Sequence, residues 1–306
     1  MKKKCSLIIG SSGFIGSKLK KSLPIEQTYS ISLDKNKNTD HKNHFFVDLN
    51  KKNDLKKVFD NLSKEHERIE IYYLAGESSV ENSIKSPEES ISKSLSCILN
   101  VASLAKDINS TVVFASSGSI YDSRKVTFFD ENSTVAPPSP YAAIKASSEN
   151  ILFSFYESFD LDIRIARIFS VFGENMNRFF IFDLIKKISS EEDIIHLNGD
   201  GNQKRDYLHV DDVVSGLKLI MCSGSKGETY NLCSGKAYSL KQIVKITNET
   251  LKIEKPILWN GKGVQGIRNK WYGANKKITA LGFESPNTEA KLKDTIQNIY
   301  EKLTLD

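Results

Sequence analysis

A tyrosine and a lysine four residues apart, Tyr141 and Lys145, are the side chains of this sequence best suited to proton transfer. They follow Ser139 and Pro140, which favour the N-cap and the first position of a helix. The spacing then places both side chains on one face of that helix. A helix N-terminus and an ammonium group both favour the phenolate, so Tyr141 is a candidate base near neutral pH. Because unrelated surface residues often share this spacing, the pair alone does not establish the chemistry.

A glycine-rich turn near the amino terminus could hold a phosphate group. Residues 4–9 predict a buried strand, a G-x-x-G-x-x-G segment follows it, and residues 17–23 predict a helix. This order brings backbone N–H groups and a helix N-terminus against a pyrophosphate, although a tight turn with close helix packing would also need the glycines. The predicted contacts are Gly10, Gly13, Phe14, Ile15 and Gly16.

An acidic residue lies about 20 residues beyond the glycines, where adenosine ribose hydroxyls are bound in dinucleotide sites. A second predicted strand, over 29–33, ends at Asp34. A carboxylate there repels a 2′-phosphate, so the sequence favours NAD over NADP. Lys35 and Lys37 keep the NADP alternative open.

Two further strands are predicted over 45–49 and 69–76. The first ends in Asp48 and Leu49, which can reach the adenine, but Asp48 is equally suited to cap a helix over 51–66. The second closes in small residues that let a dinucleotide approach the backbone. Those residues are Leu74, Ala75 and Gly76.

Strands that alternate with helices predict an α/β fold of Rossmann type, with a doubly wound parallel sheet. Helix 87–107 is followed by a strand over 111–117 that ends in Ser116 and Ser117. In such sheets ligands bind at the carboxyl ends of the strands. The glycine turn, Asp34 and these serines all fall at predicted strand ends, so the sequence predicts one site there.

The composition is ordinary for a globular protein: 306 residues, 39% hydrophobic, 26% charged, formal net charge +5. The charge suits an anionic small molecule, and no dense basic block with interleaved aromatics indicates nucleic acid. No apolar run is long enough to predict a membrane span. The cysteines show no paired spacing, so neither a metal site nor a disulfide framework is indicated, and a cytoplasmic location is expected. They are Cys5, Cys97, Cys222 and Cys233.

A series of motifs runs in order along nearly the whole chain. In the first half they are Gly10-x-x-Gly13-x-x-Gly16, Leu74-Ala75-Gly76 with Ser79-Val80, Ser116-Ser117-Gly118-Ser119-Ile120-Tyr121 and Ser139-Pro140-Tyr141-x-x-x-Lys145 with Glu149. In the second half they are residues 167–173, residues 199–212, Tyr230 to Gly235 and Leu281-Gly282-Phe283. The series resembles the extended short-chain dehydrogenase/reductase family, in particular its nucleotide-sugar epimerase/dehydratase branch.

The resemblance implies a role for each member of a catalytic trio. Tyr141 would be the acid/base, Lys145 would hold the nicotinamide ribose and depress the tyrosine pKa, and Ser117 would bind the reacting sugar hydroxyl. Hydride can leave the sugar carbon only as its hydroxyl loses a proton, so these groups must converge on one C–O–H. Ser116 and Ser170 are implied cofactor contacts, and Ser79 and Ser119 implied substrate contacts.

Two arginines are implied to contact the nucleotide diphosphate of the substrate. Arg205 matches the family position, and its fork suits phosphate oxygens. Arg268 matches more loosely. The segment His209 to Asp212 is expected to be structural, with an acid capping helix 212–222, and Glu149 is expected to be structural as well.

Some positions depart from the family pattern. Ser94 and Ser170 stand where many relatives carry asparagine. A serine can still form a hydrogen bond, but its side chain reaches less far. Gly118 and Ser119 stand where 4,6-dehydratases carry an Asp-Glu pair, and Ser119 falls where the enzymes that make GDP-fucose use a cysteine. The resemblance therefore disfavours water elimination, decarboxylation and 3,5-epimerisation, and leaves oxidoreduction at one carbon, most often C4.

The resemblance predicts a nucleotide-sugar 4-epimerase that uses NAD without consuming it. The alternative is a nucleotide-sugar 4-ketoreductase or dehydrogenase using NAD(P)H; a 4,6-dehydratase or a non-catalytic NAD sensor fits less well. Residues 1–174 should form the NAD-binding domain, with 206–235 returning to it. Residues 175–205 and 236–306 should form the nucleotide-sugar domain. A homodimer through the helices that carry Ser94 and Tyr156 is expected.

Overall fold

The computed structural model of the chain describes residues 4–33, 43–124, 127–263, 266, 270–284 and 287–305. Their strands are β1 (Cys5–Ile9), β2 (Thr28–Ser32), β3 (His44–Phe46), β4 (Ile69–Tyr73), β5 (Ser110–Ser117), β6 (Phe128–Phe129), β7 (Asp162–Ile168), β8 (Ser170–Phe172), β9 (Ile195–Leu197), β10 (Lys204–His209), β11 (Glu228–Leu232), β12 (Ala237–Ser239), β13 (Ile257–Trp259) and β14 (Lys270–Gly273). Their helices are α1 (Phe14–Ser22), α2 (Lys52–Glu65), α3 (Val80–Lys85), α4 (Pro87–Ala105), α5 (Pro140–Phe159), α6 (Phe179–Ile188), α7 (Val210–Ser223), α8 (Leu240–Leu251), α9 (Lys276–Thr279) and α10 (Thr288–Leu305).

Seven parallel strands form the main sheet, in the order β11-β7-β5-β4-β1-β2-β3. Every residue of β1 and β5 is buried, as expected for strands covered on both faces. The strand order reverses between β1 and β4, which pair directly. Such a reversal opens a crevice at the carboxyl ends of the strands, where ligands bind. The predicted Rossmann-type sheet is confirmed.

Two apolar layers hold helices against the main sheet. On one face Leu55 of α2, Ile98 of α4 and Leu152 of α5 belong to a single buried cluster. On the other face Leu19 of α1 and Leu217 of α7 belong to a second cluster. With helices on both faces, ligands are expected at the carboxyl ends of the strands.

A smaller unit is built around β10. This strand pairs in parallel with β8 and β14 and antiparallel with β12. Its core joins Ile181 of α6, Ile243 of α8 and Leu292 of α10. The division into residues 1–174 with 206–235 and residues 175–205 with 236–306 stays a prediction, although β11 does pair with β7 of the main sheet.

Several element boundaries differ from those predicted. Helix α1 begins at Phe14 because the extended Gly13 is already its N-cap. Strand β3 ends at Phe46, so Asp48 lies in the loop beyond it. Strand β6 has only two residues, too few for a sequence pattern, and forms by pairing with β14.

The predicted acidic cap of the helix after β10 is wrong. Helix α7 begins at Val210, and its N-cap is His209, whose Nδ1 accepts from the backbone N–H of Asp211 at 3.2 Å. The helix starts two residues earlier than predicted, so Asp211 and Asp212 fall in its first turn. Carboxylates there are still favourable, because they lie near the positive end of the helix.

Candidate active site

A cleft of about 1710 Å³ opens at the carboxyl ends of β1, β4 and β5. It collects most of the residues predicted from sequence. Lining it are Gly10, Gly13, Phe14, Ile15, Gly16, Asp48, Leu49, Leu74, Ala75, Gly76, Ser116, Ser117, Ser119, Tyr141, Lys145, Ser170 and Arg205. Asp34 and Arg268 lie outside the described residues, so the contacts predicted for them stay predictions.

The structural reason for glycine differs among the three positions after β1. A Cβ on Gly10 would lie 2.7 Å from the backbone N of Ala75, and a Cβ on Gly16 would lie 2.2 Å from the carbonyl O of Gly10. Packing within the protein therefore requires both. A Cβ on Gly13 would have one described neighbour, the Gly10 carbonyl O at 3.3 Å. Gly13 thus leaves space where α1 begins, and no side chain caps that helix.

Two predicted contacts are polar groups that hold their own loops. The Oδ1 of Asp48 accepts from the backbone N–H and the side-chain amide of Asn50, at 3.0 and 3.2 Å. Asp48 does not cap α2, whose N-cap residue is Lys51. The hydroxyl of Ser79 caps α3 by accepting from the N–H of Asn82 at 3.2 Å. The ligand contacts predicted for Asp48 and Ser79 stay predictions.

The residues of the predicted catalytic trio come from β5 and α5. Ser139 caps α5 through the N–H of Ala142, and Pro140 occupies its first turn, as predicted. This start places Tyr141 within hydrogen-bond reach of Ser117, at the end of β5. The Oγ of Ser117 also lies 2.9 Å from the Oγ of Ser119.

The ammonium of Lys145 is buried one helical turn beyond Tyr141. Its Nζ donates to the carbonyl O of Ala115 at 2.8 Å and lies 5.1 Å from the ring centroid of Phe114. An ammonium group has three N–H donors, so further donors remain for a ligand after the Ala115 bond. The hydrogen bond to β5 holds the lysine in place, and its remaining N–H donors are available to a ligand in the cleft.

Burial sets the protonation of both groups. It raises the pKa of Tyr141, against the hydrogen bond with Ser117, which acts to lower it. It lowers the pKa of Lys145 to about 8, against the charge of Glu149. The pKa of Tyr141 is therefore raised, because desolvation of the phenolate outweighs the lowering by Ser117 and by the charge of Arg178.

A buried polar network lies beneath the trio. Glu149, on α5, accepts from Ser116 and, through both its oxygens, from Arg167, with Nη2 of the arginine at 2.7 Å. Arg167 Nη1 donates to the Tyr121 hydroxyl at 2.9 Å, and that hydroxyl donates to Asn231 at 2.6 Å. The network joins α5 to β5, β7 and β11, so the structural role predicted for Glu149 agrees with its contacts.

Arg205 lines the facing side of the cleft, at the start of β10. Its Nη1 donates to the carbonyl O of Lys204 at 2.8 Å, and its guanidinium carbon lies 5.8 Å from the ring centroid of Trp271. Burial lowers its pKa, but an arginine stays protonated in proteins. A planar cation stacked in this way can offer its fork to a phosphate.

Two charged residues of the cleft were missed by the sequence reading. Both act on the pKa of Tyr141, which burial raises: the charge of Glu77 raises it further, and the charge of Arg178 lowers it. Both residues line the cleft. Glu77 adjoins a predicted motif, but Arg178 precedes α6, where an arginine carries no pattern that distinguishes it from a surface charge.

No group of three or more His, Cys, Asp or Glu side chains within the described ranges could hold a metal ion. Among the same residues, no helix is both long and apolar enough to cross a bilayer.

Comparisons with known proteins point to one family. The family model described as NAD dependent epimerase/dehydratase family matches residues 6–233. The UDP-glucuronate 4-epimerase of Thermodesulfobacterium geofontis is 27% identical over 321 residues, which cover 98% of this chain and 97% of that one.

Solved structures of similar proteins share the fold over their whole length. UDP-glucose 4-epimerase from Thermotoga maritima, crystallised with UDP-glucose, has a TM-score of 0.87 at 23% identity, covering 98% of this chain and 99% of that chain. UDP-N-acetylglucosamine 4-epimerase from Methanobrevibacter ruminantium has a TM-score of 0.84 at 25% identity, covering 99% and 100%.

Proposed function

The chain belongs to the NAD-dependent epimerase/dehydratase family, and from that premise we propose that it is a nucleotide-sugar 4-epimerase acting through a transient 4-keto sugar. The observation that carries the proposal is the convergence of Ser117, Tyr141 and Lys145 in a cleft that also contains the glycine turn. The named relatives are all 4-epimerases of UDP-sugars, which supports uridine diphosphate as the nucleotide.

The residues at the ends of β1 and β4 fit a dinucleotide. Gly13 offers the uncapped N-terminus of α1, which has no acidic residue in its first turn, to a pyrophosphate. Leu74 and Ala75 line the same crevice with small or apolar surface. Lys145 has donors for the nicotinamide ribose. NAD held by these residues would supply a reversible hydride acceptor for the sugar carbon.

The side chains of the trio divide the proton chemistry between them. Tyr141 takes the proton of the C4 hydroxyl as the C4–H bond breaks, and gives it back to the ketone oxygen on the return step. Ser117 donates to the same sugar oxygen and keeps it beside the phenol. Lys145 adds positive charge next to Tyr141, and its burial excludes water from that side.

The facing side of the cleft supports binding of the nucleotide sugar. Arg205 would hold the diphosphate, which anchors the substrate while the sugar is free to turn. The sugar must rotate within the cleft between the two hydride transfers. Epimerisation needs this rotation, because hydride must return to the opposite face of C4.

Water elimination is disfavoured by the residues after Ser117. A Cβ on Gly118 would lie 2.7 Å from the ring of Phe169, so no acidic side chain fits at that position without rearrangement. Ser119 carries no carboxylate either. A dehydratase would need an acid to protonate the leaving hydroxyl, and these two positions do not supply one.

Assembly and location follow from the same premise. We expect a homodimer through α4 and α5, where Leu99 and Phe159 are 48% and 54% exposed. Sedimentation of the purified protein tests this, and a monomer at micromolar concentration would contradict it. Free thiols at Cys5 and Cys233 support a cytoplasmic location.

Proton NMR of the purified protein with UDP-glucose or UDP-glucuronate tests the proposed reaction. We expect the C4 epimer to accumulate to the same ratio from either side, with no net change in NADH absorbance. A 4-ketosugar reduced with loss of NADH or NADPH absorbance, and no epimer from either sugar, would instead identify the ketoreductase.

A further inference from the structure

One guanidinium group that lines the cleft is not used by the mechanism above. Arg178 precedes α6, is exposed, and lines the cleft. Its Nη2 donates to the Oγ of Ser78 at 2.9 Å, and its guanidinium carbon lies 4.7 Å from the ring centroid of Phe179. The contact with Ser78 reaches across the cleft to the loop after β4.

That loop leads into α3, a helix that contacts the backbone of Tyr141. It ends in the N-cap of α3, and Ser83 of α3 accepts from the backbone N–H of Tyr141 at 3.0 Å. Burial raises the pKa of Tyr141, and the charge of Arg178 acts in the opposite direction. Arg178 is therefore held against the loop that leads into α3, the helix that also contacts the backbone of Tyr141, whereas Arg205 is on β10.

The charge of Arg178 has no acidic partner among the ion pairs of the described residues. The nearby carboxylate of Glu77 accepts instead from the backbone N–H groups of Ser78 and Ser79, at 2.8 and 2.7 Å. Among the described residues, Arg178 contacts the hydroxyl of Ser78 and the ring of Phe179. An exposed guanidinium with neutral neighbours is suited to bind an anionic group brought by a ligand.

We propose that Arg178 binds a carboxylate on the sugar, so that the substrate is a nucleotide-linked hexuronic acid. The inference rests on the proposed function, in which C4 lies at Tyr141. The substituent of the neighbouring C5 is then the nearest position from which the sugar can present an anion. A carboxylate there matches the two parallel N–H donors of an arginine fork, whereas the hydroxymethyl group of a neutral hexose gains little from its charge.

The test compares UDP-glucuronate with UDP-glucose on wild-type protein and on Arg178→Leu. Wild type should favour UDP-glucuronate in kcat/KM. The substitution should lower kcat/KM for UDP-glucuronate by about tenfold to a hundredfold, as for loss of a hydrogen-bonded charge, and leave UDP-glucose within about threefold. Arg178→Lys should fall between them. Arg68→Leu is the matched control, because it removes an equally exposed arginine next to the amino end of β4 and should change neither substrate.

Binding of each UDP-sugar, measured by calorimetry in parallel, separates the two proposals. Selective loss of UDP-glucuronate binding in Arg178→Leu supports the carboxylate contact even if no sugar is epimerised, in which case the proposed function alone fails. Equal losses for both sugars would assign Arg178 to the shared diphosphate and overturn the inference. A wild-type protein that handles UDP-glucose as well as UDP-glucuronate would overturn it too.

Discussion

The two sides of the cleft hold their polar side chains in different ways. The proposed catalytic wall consists of Ser117, Tyr141 and Lys145, on β5 and α5, and the side chains of Ser117 and Lys145 are hydrogen-bonded within the protein. The proposed substrate wall contains Arg178 and Arg205, on loops and short strands of the smaller unit; Arg178 donates to the hydroxyl of Ser78, and Arg205 donates to the carbonyl O of Lys204. The difference separates chemistry, which needs fixed geometry, from recognition, which needs donors left for a ligand.

The support beneath each wall follows the same division. Under the catalytic wall, Glu149 and Arg167 form a buried ion pair. Beside the substrate wall, Gly199 and Gly201 have φ of +90° and +77°, and Phe179 takes φ of 74°, although it is not glycine. Such conformations occur in loops shaped for a purpose other than regular packing. Substitutions beneath the catalytic wall should therefore lower the stability of the protein, and substitutions in the substrate wall should lower its affinity for the substrate.

The largest effect on folding is expected from Glu149→Ala. It leaves the buried guanidinium of Arg167 without its carboxylate, which should lower the free energy of unfolding by about 3–5 kcal/mol. Denaturant unfolding measures this. Glu289→Ala is the matched control, because it removes one partner of an exposed pair with Lys293 and should cost about 0.5 kcal/mol or less. Equal costs for the two variants would erase the proposed difference between the walls.

A smaller and different effect is expected from Arg205→Leu on the substrate wall. Losing a charged hydrogen bond to the diphosphate should raise KM about tenfold to a hundredfold. Arg205 donates to the neutral backbone carbonyl of Lys204, so the free energy of unfolding should change by less than about 1 kcal/mol. Steady-state kinetics and denaturant unfolding on the same preparation give both numbers. An unchanged KM would remove Arg205 from the substrate wall.

The sequence predicted the catalytic wall better than the substrate wall because its signals are local. Ser139 and Pro140 predict the start of α5, and the apolar run of β5 predicts the strand that carries Ser117. Short-range rules of capping and strand burial are sufficient for both. Arg178 meets Ser78 across 100 residues of chain, so no local pattern could have paired them.

The pKa of a buried side chain and the reason for each glycine of a turn could not be predicted from local sequence either. The pKa of Tyr141 is raised by burial, which depends on tertiary packing and is not reported by the i to i+4 spacing. The glycine turn was found correctly, but Gly10 and Gly16 are required by backbone contacts rather than by a ligand. The two readings of a glycine motif become separable only when the neighbours of each missing Cβ are known.

The central claim is that Tyr141 moves the proton of the sugar hydroxyl beside a bound dinucleotide. The most direct measurement is turnover by NMR for Tyr141→Phe, together with the NAD retained by the same preparation, against Tyr300→Phe on α10 as a control. The account predicts a fall in turnover of about 10²–10⁴-fold with NAD retained as in wild type, and no change in the control. Wild-type turnover in Tyr141→Phe would contradict it.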